Sequence, residues 1–286
     1  MGVFLLLLST LMWSFVGILV KTASFSLDSY TITFLRFGLG VLFLILFLVV
    51  NKRKVHISWR SKWIWFGALG KVINYLFENY GVSVGYAYEQ ILVTPFMTIF
   101  MLLFSIFYFK ERATARSWAA IALCLSGVLV ITWNGLSFDE LLEFDLMLTL
   151  IFAISAFGAS FHFASQKVLG KNMSSIDMNV SIFLWCSFLA IIPVPTQLEW
   201  SGDFSMMTVI ALLMLGLITG ISFIIYANAL KHVSFLLAAI LTNTSVLFSL
   251  LWAWLFFGEP ITTYVIAGAC LFLMGMSLLS LPRAKP

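Results

Sequence analysis

Residues 62–83 form a mostly apolar run that nonetheless holds Lys71, Asn74, Tyr75, Glu78 and Asn79. Lys71, Asn74 and Glu78 are spaced i, i+3, i+7, which puts them on one stripe of a helix. At a rise of about 1.5 Å per residue, the cation and the anion are too far apart to pair with each other. They could hold the two ends of a zwitterion, or each could pair with a neighbouring helix, Glu78 with Arg36 for instance. The next apolar run adds Tyr88 and Glu89. Glu89 beside Glu78 would make a carboxylate pair able to hold a coupling proton; alone, it is an interfacial charge. His162, with Gln166 four residues on, is either a proton-titrating group or a packing element. Trp13, Ser14, Tyr226, Asn228 and Asn243 are further polar or aromatic groups inside apolar runs, where a single amide or hydroxyl often serves as glue between helices.

The elements that must position these groups are membrane spans. Of the 286 residues, 62% are hydrophobic and 10% charged. Soluble domains are about 45–50% apolar and about 25% charged, so a water-soluble or disordered chain is excluded. Apolar runs lie near 3–21, 30–50, 62–83, 87–109, 115–134, 145–167, 176–195, 205–230, 234–257 and 261–281. Each is about the length a spanning helix needs. None has the alternation of a membrane β-strand. The first run is not preceded by Lys or Arg and reads as a retained span. The three cysteines sit in separate runs and read as packing groups, with no metal-ligand spacing. The Asn-x-Ser sequons at Asn172, Asn179 and Asn243 carry little weight, two of them falling in or beside spans.

Basic residues set the direction. With the N-terminus inside, the inner loops and their flanks hold Lys52, Arg53, Lys54, Arg60, Lys62, Lys110, Arg112, Arg116, Lys167, Lys171, Lys231, Arg283 and Lys285. The outer loops carry Asp28, Asp139, Glu140, Glu143, Glu199 and Asp203. This positive-inside pattern predicts both termini in the cytoplasm.

The two halves repeat at an offset of 148. Glu111 falls on Glu259, Gly127 on Gly275, Tyr75 on Phe223, Tyr80 on Asn228 and Thr94 on Thr242. A repeat of five spans inserts the other way round the second time. Inverted repeats of this kind are a recurring plan of secondary transporters, with the site near the midplane. There is no Gly-rich phosphate loop, no His-Glu-x-x-His and no paired nucleophile and base, so neither an enzyme nor an ATP-driven pump is expected, and no cofactor or metal.

The chain resembles the EamA-type branch of the drug/metabolite transporter superfamily. The resemblance rests on LMWSFVGILVK in the first span, TFLRFGLGVLFL in the second, and Ala87 eight residues before Pro95. It rests also on FKERATARSWAAIALCLSGVLVI, matched again by FFGEPITTYVIAGACLFLMGMSLL. Lys110, Lys71, Glu78, Glu89 and Asn243 depart from the family pattern and point to a more polar substrate. The resemblance implies an all-α integral membrane protein of ten transmembrane helices, two inverted five-helix repeats over 1–134 and 145–286. It also implies a central cavity lined mainly by the third, fourth, eighth and ninth helices.

The expected function is secondary transport of a small polar metabolite, an amino acid first and export favoured, across the inner membrane by alternating access. Expected substrate contacts are Trp13, Ser14, Lys71, Asn74, Tyr75, Glu78, Tyr88, Tyr226, Asn228 and Asn243. Arg36, Glu89 and His162 are candidate charge or proton partners. The expected partners are a small-molecule substrate, lipid and a proton or counter-substrate, with no nucleic acid and a monomer or homodimer as the assembly. The rivals are uptake or exchange of a nucleotide-like metabolite such as S-adenosylmethionine, and a non-transporting scaffold or lipid-handling protein.

Overall fold

A computed structural model of the chain describes residues 1–50, 52, 54, 56–84, 93–111, 114–133, 135, 146–192, 194, 205–257 and 262–280. Those residues are helical or connecting, with no strand among them. The helices are α1 (Gly2–Trp13), α2 (Val16–Ser24), α3 (Ser29–Val50), α4 (Lys62–Val84), α5 (Val93–Leu103), α6 (Ala115–Trp133) and α7 (Leu146–Leu169). They continue with α8 (Ser175–Ile191), α9 (Met206–Ala229), α10 (Phe235–Thr242), α11 (Thr244–Phe257) and α12 (Thr263–Ser280).

The longest helices, α7 and α9 at 24 residues, reach about 36 Å at 1.5 Å per residue, more than the roughly 30 Å hydrocarbon core. By length and composition, three segments among the described residues can cross a membrane outright: 2–24, Ser29–Val50 and Met206–Ala229. Large apolar side chains such as Leu42, Leu46, Phe47 and Val49 on α3 stand exposed, as lipid-facing positions must. Serine caps start α8, α9 and α10, where Ser174, Ser205 and Ser234 accept from the backbone N–H three residues on. Asp28 does the same for α3, accepting from the N–H groups of Tyr30 and Thr31.

Two of the apolar runs are broken. Residues 3–21 divide into α1 and α2 at Ser14–Phe15, and 234–257 divides into α10 and α11 at Asn243. A break inside lipid needs substitutes for the freed backbone bonds. Asn243 supplies them: its Nδ2 donates to the carbonyls of Ala239 and Ile240, and to Thr98 Oγ1 on α5. A π-helical turn, Phe104–Tyr108, ends α5.

α4 packs along α7, and α9 along α1 and α3; α3 and α4 both contact α8, α5 lies against α7 and α10, and α6 pairs with α12. Close approach needs small residues where backbones meet. A Cβ on Gly70 would lie 2.8 Å from the Gly158 carbonyl oxygen, and one on Gly158 would lie 2.5 Å from that of Gly70. The α4–α7 crossing therefore requires glycine on both helices.

Candidate functional site

Among the described residues, the buried charged side chains are Arg36, Lys71 and Glu78. Arg36 and Lys71 meet at Tyr75, and Glu78 lies within electrostatic reach of Lys71 and Tyr75. Tyr75, 2% exposed on α4, organises them. The Arg36 guanidinium carbon lies 3.5 Å from the Tyr75 ring centroid and Lys71 Nζ lies 3.9 Å from it. Phe37 stacks on the same ring at 4.9 Å. Desolvated cation–π contacts of this kind are worth about 2 kcal/mol.

The hydrogen bonds spread outward from there. Lys71 Nζ donates to Asn74 Oδ1 at 2.6 Å. Asn74 Nδ2 donates to Ser155 Oγ on α7 at 2.9 Å. Arg36 Nη1 donates to Asn79 Oδ1 at 2.6 Å, and Asn79 Nδ2 donates to Thr33 Oγ1 at 2.7 Å. The guanidinium thus takes the residue after Glu78 as its amide partner. Arg36 Nε is buried without a hydrogen-bond partner among the described residues. Lys71 lies within electrostatic reach of Glu78, which attracts it, and of Arg36, which repels it.

Across the centre, α9 presents hydroxyls and rings. Tyr75 Oη and Thr219 Oγ1 are 3.2 Å apart, and Lys71 Nζ lies 4.3 Å from the Phe223 centroid. Lys71 with Phe223 and Tyr75 with Thr219 make the two helices antiparallel. Trp13, at the end of α1, donates through Nε1 to Ser222 Oγ at 2.7 Å. Its ring packs on Phe163, Phe223 and Tyr226 at 5.5, 5.0 and 5.0 Å. His162 is buried with Nδ1 3.0 Å from the Gly67 carbonyl oxygen, its ring against Phe163, Phe183 and Phe223.

The structure thus gathers Trp13, Arg36, Lys71, Asn74, Tyr75, Glu78, His162 and Tyr226 into one buried region. It sends three expected contacts elsewhere. Ser14 accepts from Trp252 Nε1 at 2.7 Å, toward α11. Asn228 accepts from Ser175 Oγ at 2.6 Å at the start of α8. Asn243 bridges the α10–α11 break to Thr98. Tyr88 and Glu89 lie outside the described residues. Gln166, beside His162 in the sequence reading, donates to Asn179 Oδ1.

Several groups at the centre carried no signal of their own in the sequence: Thr219, Ser222, Phe163 and Phe183. The first two are found by extending the 148-residue offset, which sets Lys71 on Thr219 and Asn74 on Ser222. Three capping contacts away from the centre were also missed. Lys21 Nζ donates to the carbonyls of Val82 and Ser83 at 3.1 and 3.3 Å, at the end of α4. Lys167 Nζ donates to those of Leu230 and Val233 at 2.7 and 2.5 Å, past the end of α9. Glu111 accepts from Phe235 N and Leu236 N at 2.9 and 3.0 Å, capping α10 where an anion is favoured.

The chain belongs to the EamA-like transporter family, which matches it twice, over residues 1–133 and 146–281. It is similar to the pseudopaline exporter CntI of Pseudomonas aeruginosa. The protein of strain UCBPP-PA14 is 24% identical over 288 residues and that of strain PAO1 25% identical over 292, each match covering 98% of this chain and 95% of the relative. One solved crystal structure of a protein superposes with a TM-score of 0.80 at 16% identity over 98% of both chains, which shows a shared fold. The chain is therefore an integral membrane transporter of the drug/metabolite type, and its curated relatives are exporters.

Proposed function

We propose that this transporter exports a small polar metabolite carrying a carboxylate, an amino acid first, across the inner membrane by alternating access. The observation that carries the reading is the buried centre of Arg36, Lys71 and Glu78 around Tyr75. Among the described residues, two buried cations stand with one buried carboxylate in a place where charge is costly. A substrate carboxylate between Lys71 and Arg36 relieves their repulsion and gives Arg36 Nε a partner. An amine on the same molecule would face Glu78. Trp13, Phe223 and Tyr226 would form the apolar wall.

Rocking would occur between two inverted five-helix halves, 1–134 and 145–286. The double family match supports this, and so does the pattern of packing. α1 lies on α9 as α7 lies on α4, α3 on α9 as α8 on α4, and α5 on α7 as α10 and α11 on α1. The like pairs α3 with α8 and α6 with α12 would lie on the axis. A site held between halves of this kind is the arrangement alternating access requires. The positive-inside distribution supports ten spans with both termini cytoplasmic. A reporter at the C-terminus should be active only inside the cell.

Amino-acid flux into proteoliposomes tests the reading. Lys71→Ala and Glu78→Ala should each lower it about tenfold or more, the equivalent of losing one charge-assisted hydrogen bond at about 1.5–3 kcal/mol. Unchanged flux in both variants would overturn the site. The wall of Trp13, Phe163, Phe223 and Tyr226 also suits a flat ring, so stimulation of flux by an internal nucleotide-like metabolite would favour exchange of that class instead.

A further inference from the structure

His162 lies on α7 at 0% exposure, in the same buried region but without a role in the carboxylate and amine contacts above. Its Nδ1 is 3.0 Å from the Gly67 carbonyl oxygen. A carbonyl only accepts, so in the neutral ring the hydrogen is on Nδ1 and Nε2 is a bare lone pair. Nε2 is buried with no hydrogen-bond partner among the described residues. Native proteins seldom bury an acceptor in that condition without a use for it.

The surroundings hold this arrangement in place. Gly67 packs closely there: a Cβ on it would meet Ser165 Oγ and lie 3.1 Å from Ile182 Cδ1. The ring stacks on Phe183 at 6.1 Å and meets Phe223 edge-on at 5.4 Å. These rings supply no N–H or O–H donor to Nε2. Lys71 rests on the same Phe223 ring, 4.3 Å from its centroid, and donates its hydrogen bond to Asn74 Oδ1.

We propose that His162 is the specificity-determining contact of the transport site: Nε2 accepts a hydrogen bond from a hydroxyl or uncharged N–H group of the substrate. This rests on the reading of Lys71 and Arg36 as the carboxylate contacts. The donor is uncharged because Lys71 is within electrostatic reach of the imidazole, and a second cation there would be repelled. The substrate class narrows accordingly to a carboxylate-bearing metabolite whose side chain carries a neutral donor. A site built to bond such a donor discriminates strongly against the analogue that lacks it, because its own buried acceptor is then left unpaired.

Matched pairs test this in proteoliposomes of the full chain: threonine against its isostere valine, and serine against alanine. Wild type should prefer the hydroxyl member by about tenfold or more. His162→Asn keeps a donor for Gly67 but lacks an acceptor at the Nε2 position, and should reduce the preference to about threefold or less. His162→Phe is a second variant should the asparagine protein fail to fold. A wild-type ratio near one, or a ratio unchanged in a folded His162 variant, overturns the proposal. Lys71→Ala in the same assay separates the two readings. Loss of flux there with an unaltered His162→Asn ratio leaves the carboxylate site standing and removes this one. Absence of flux for all four amino acids in wild type removes both.

Discussion

α4 and α9 meet at the centre of the molecule with faces of unequal chemistry. At the 148-residue offset Lys71, Asn74, Tyr75 and Glu78 stand against Thr219, Ser222, Phe223 and Tyr226. One face carries the ions; the other answers with hydroxyls and rings. Thr219 meets the Tyr75 hydroxyl, Phe223 underlies Lys71, and Ser222 holds Trp13. Buried charge is expensive, so duplicating the ions on both faces would double that cost, whereas rings accept a cation without adding charge. A site between related helices can thus be polarised while the backbone frame stays alike. A lysine also meets backbone carbonyls at the end of each helix, Lys21 at α4 and Lys167 just past α9.

The largest effect expected from breaking this comparison is structural. Gly158→Val pushes a side chain into the Gly70 carbonyl and should abolish folded, monodisperse protein after extraction. Gly38→Ala on α3, where a Cβ meets nothing within 4 Å, should leave yield unchanged in size-exclusion chromatography.

Next come the two faces themselves. Lys71→Met should cost transport about tenfold or more, while Thr219→Val, which removes one neutral hydrogen bond, should cost about threefold. Equal losses would mean that the ionic face has no special role.

The lysine contacts should follow. Lys167→Ala frees two carbonyls held at 2.7 and 2.5 Å, and Lys21→Ala frees two held at 3.1 and 3.3 Å. Thermal unfolding in detergent should show the larger fall for Lys167→Ala, of about 1–3 kcal/mol. The smallest effect belongs to Glu111→Ala, which removes the acceptor of the Phe235 and Leu236 N–H groups but leaves the Ser234 cap of α10, and should cost about 1 kcal/mol. If the halves are inverted copies, Glu259→Ala should cost the same.

The all-helical, apolar character of the chain was legible because its apolar runs are long and lack the alternation of strands. The stripe of Lys71, Asn74 and Glu78 was legible because charge in such a run is rare. The breaks at Ser14 and Asn243 were not, since neither contains glycine or proline and both are held by contacts from other helices. The same reason removed Ser14, Asn228 and Asn243 from the centre. A polar residue within a span is visible in sequence, but whether it faces a substrate or Trp252, Ser175 or Thr98 is decided by helix rotation. Thr219 and Ser222 were invisible singly because hydroxyls are common in spans, and became readable only through the repeat.

The most direct test of the central claim is ligand stabilisation of purified protein, measured as the rise in unfolding temperature with added amino acid. A bound ligand stabilises by RT ln(1 + [L]/Kd), so a tenfold loss of affinity on removing the cation should about halve the rise at about 100 times the wild-type Kd. The account predicts a rise close to that of wild type for Thr219→Val and about half of it or less for Lys71→Met. An equal rise in all three would show that the substrate does not meet the charged face of α4.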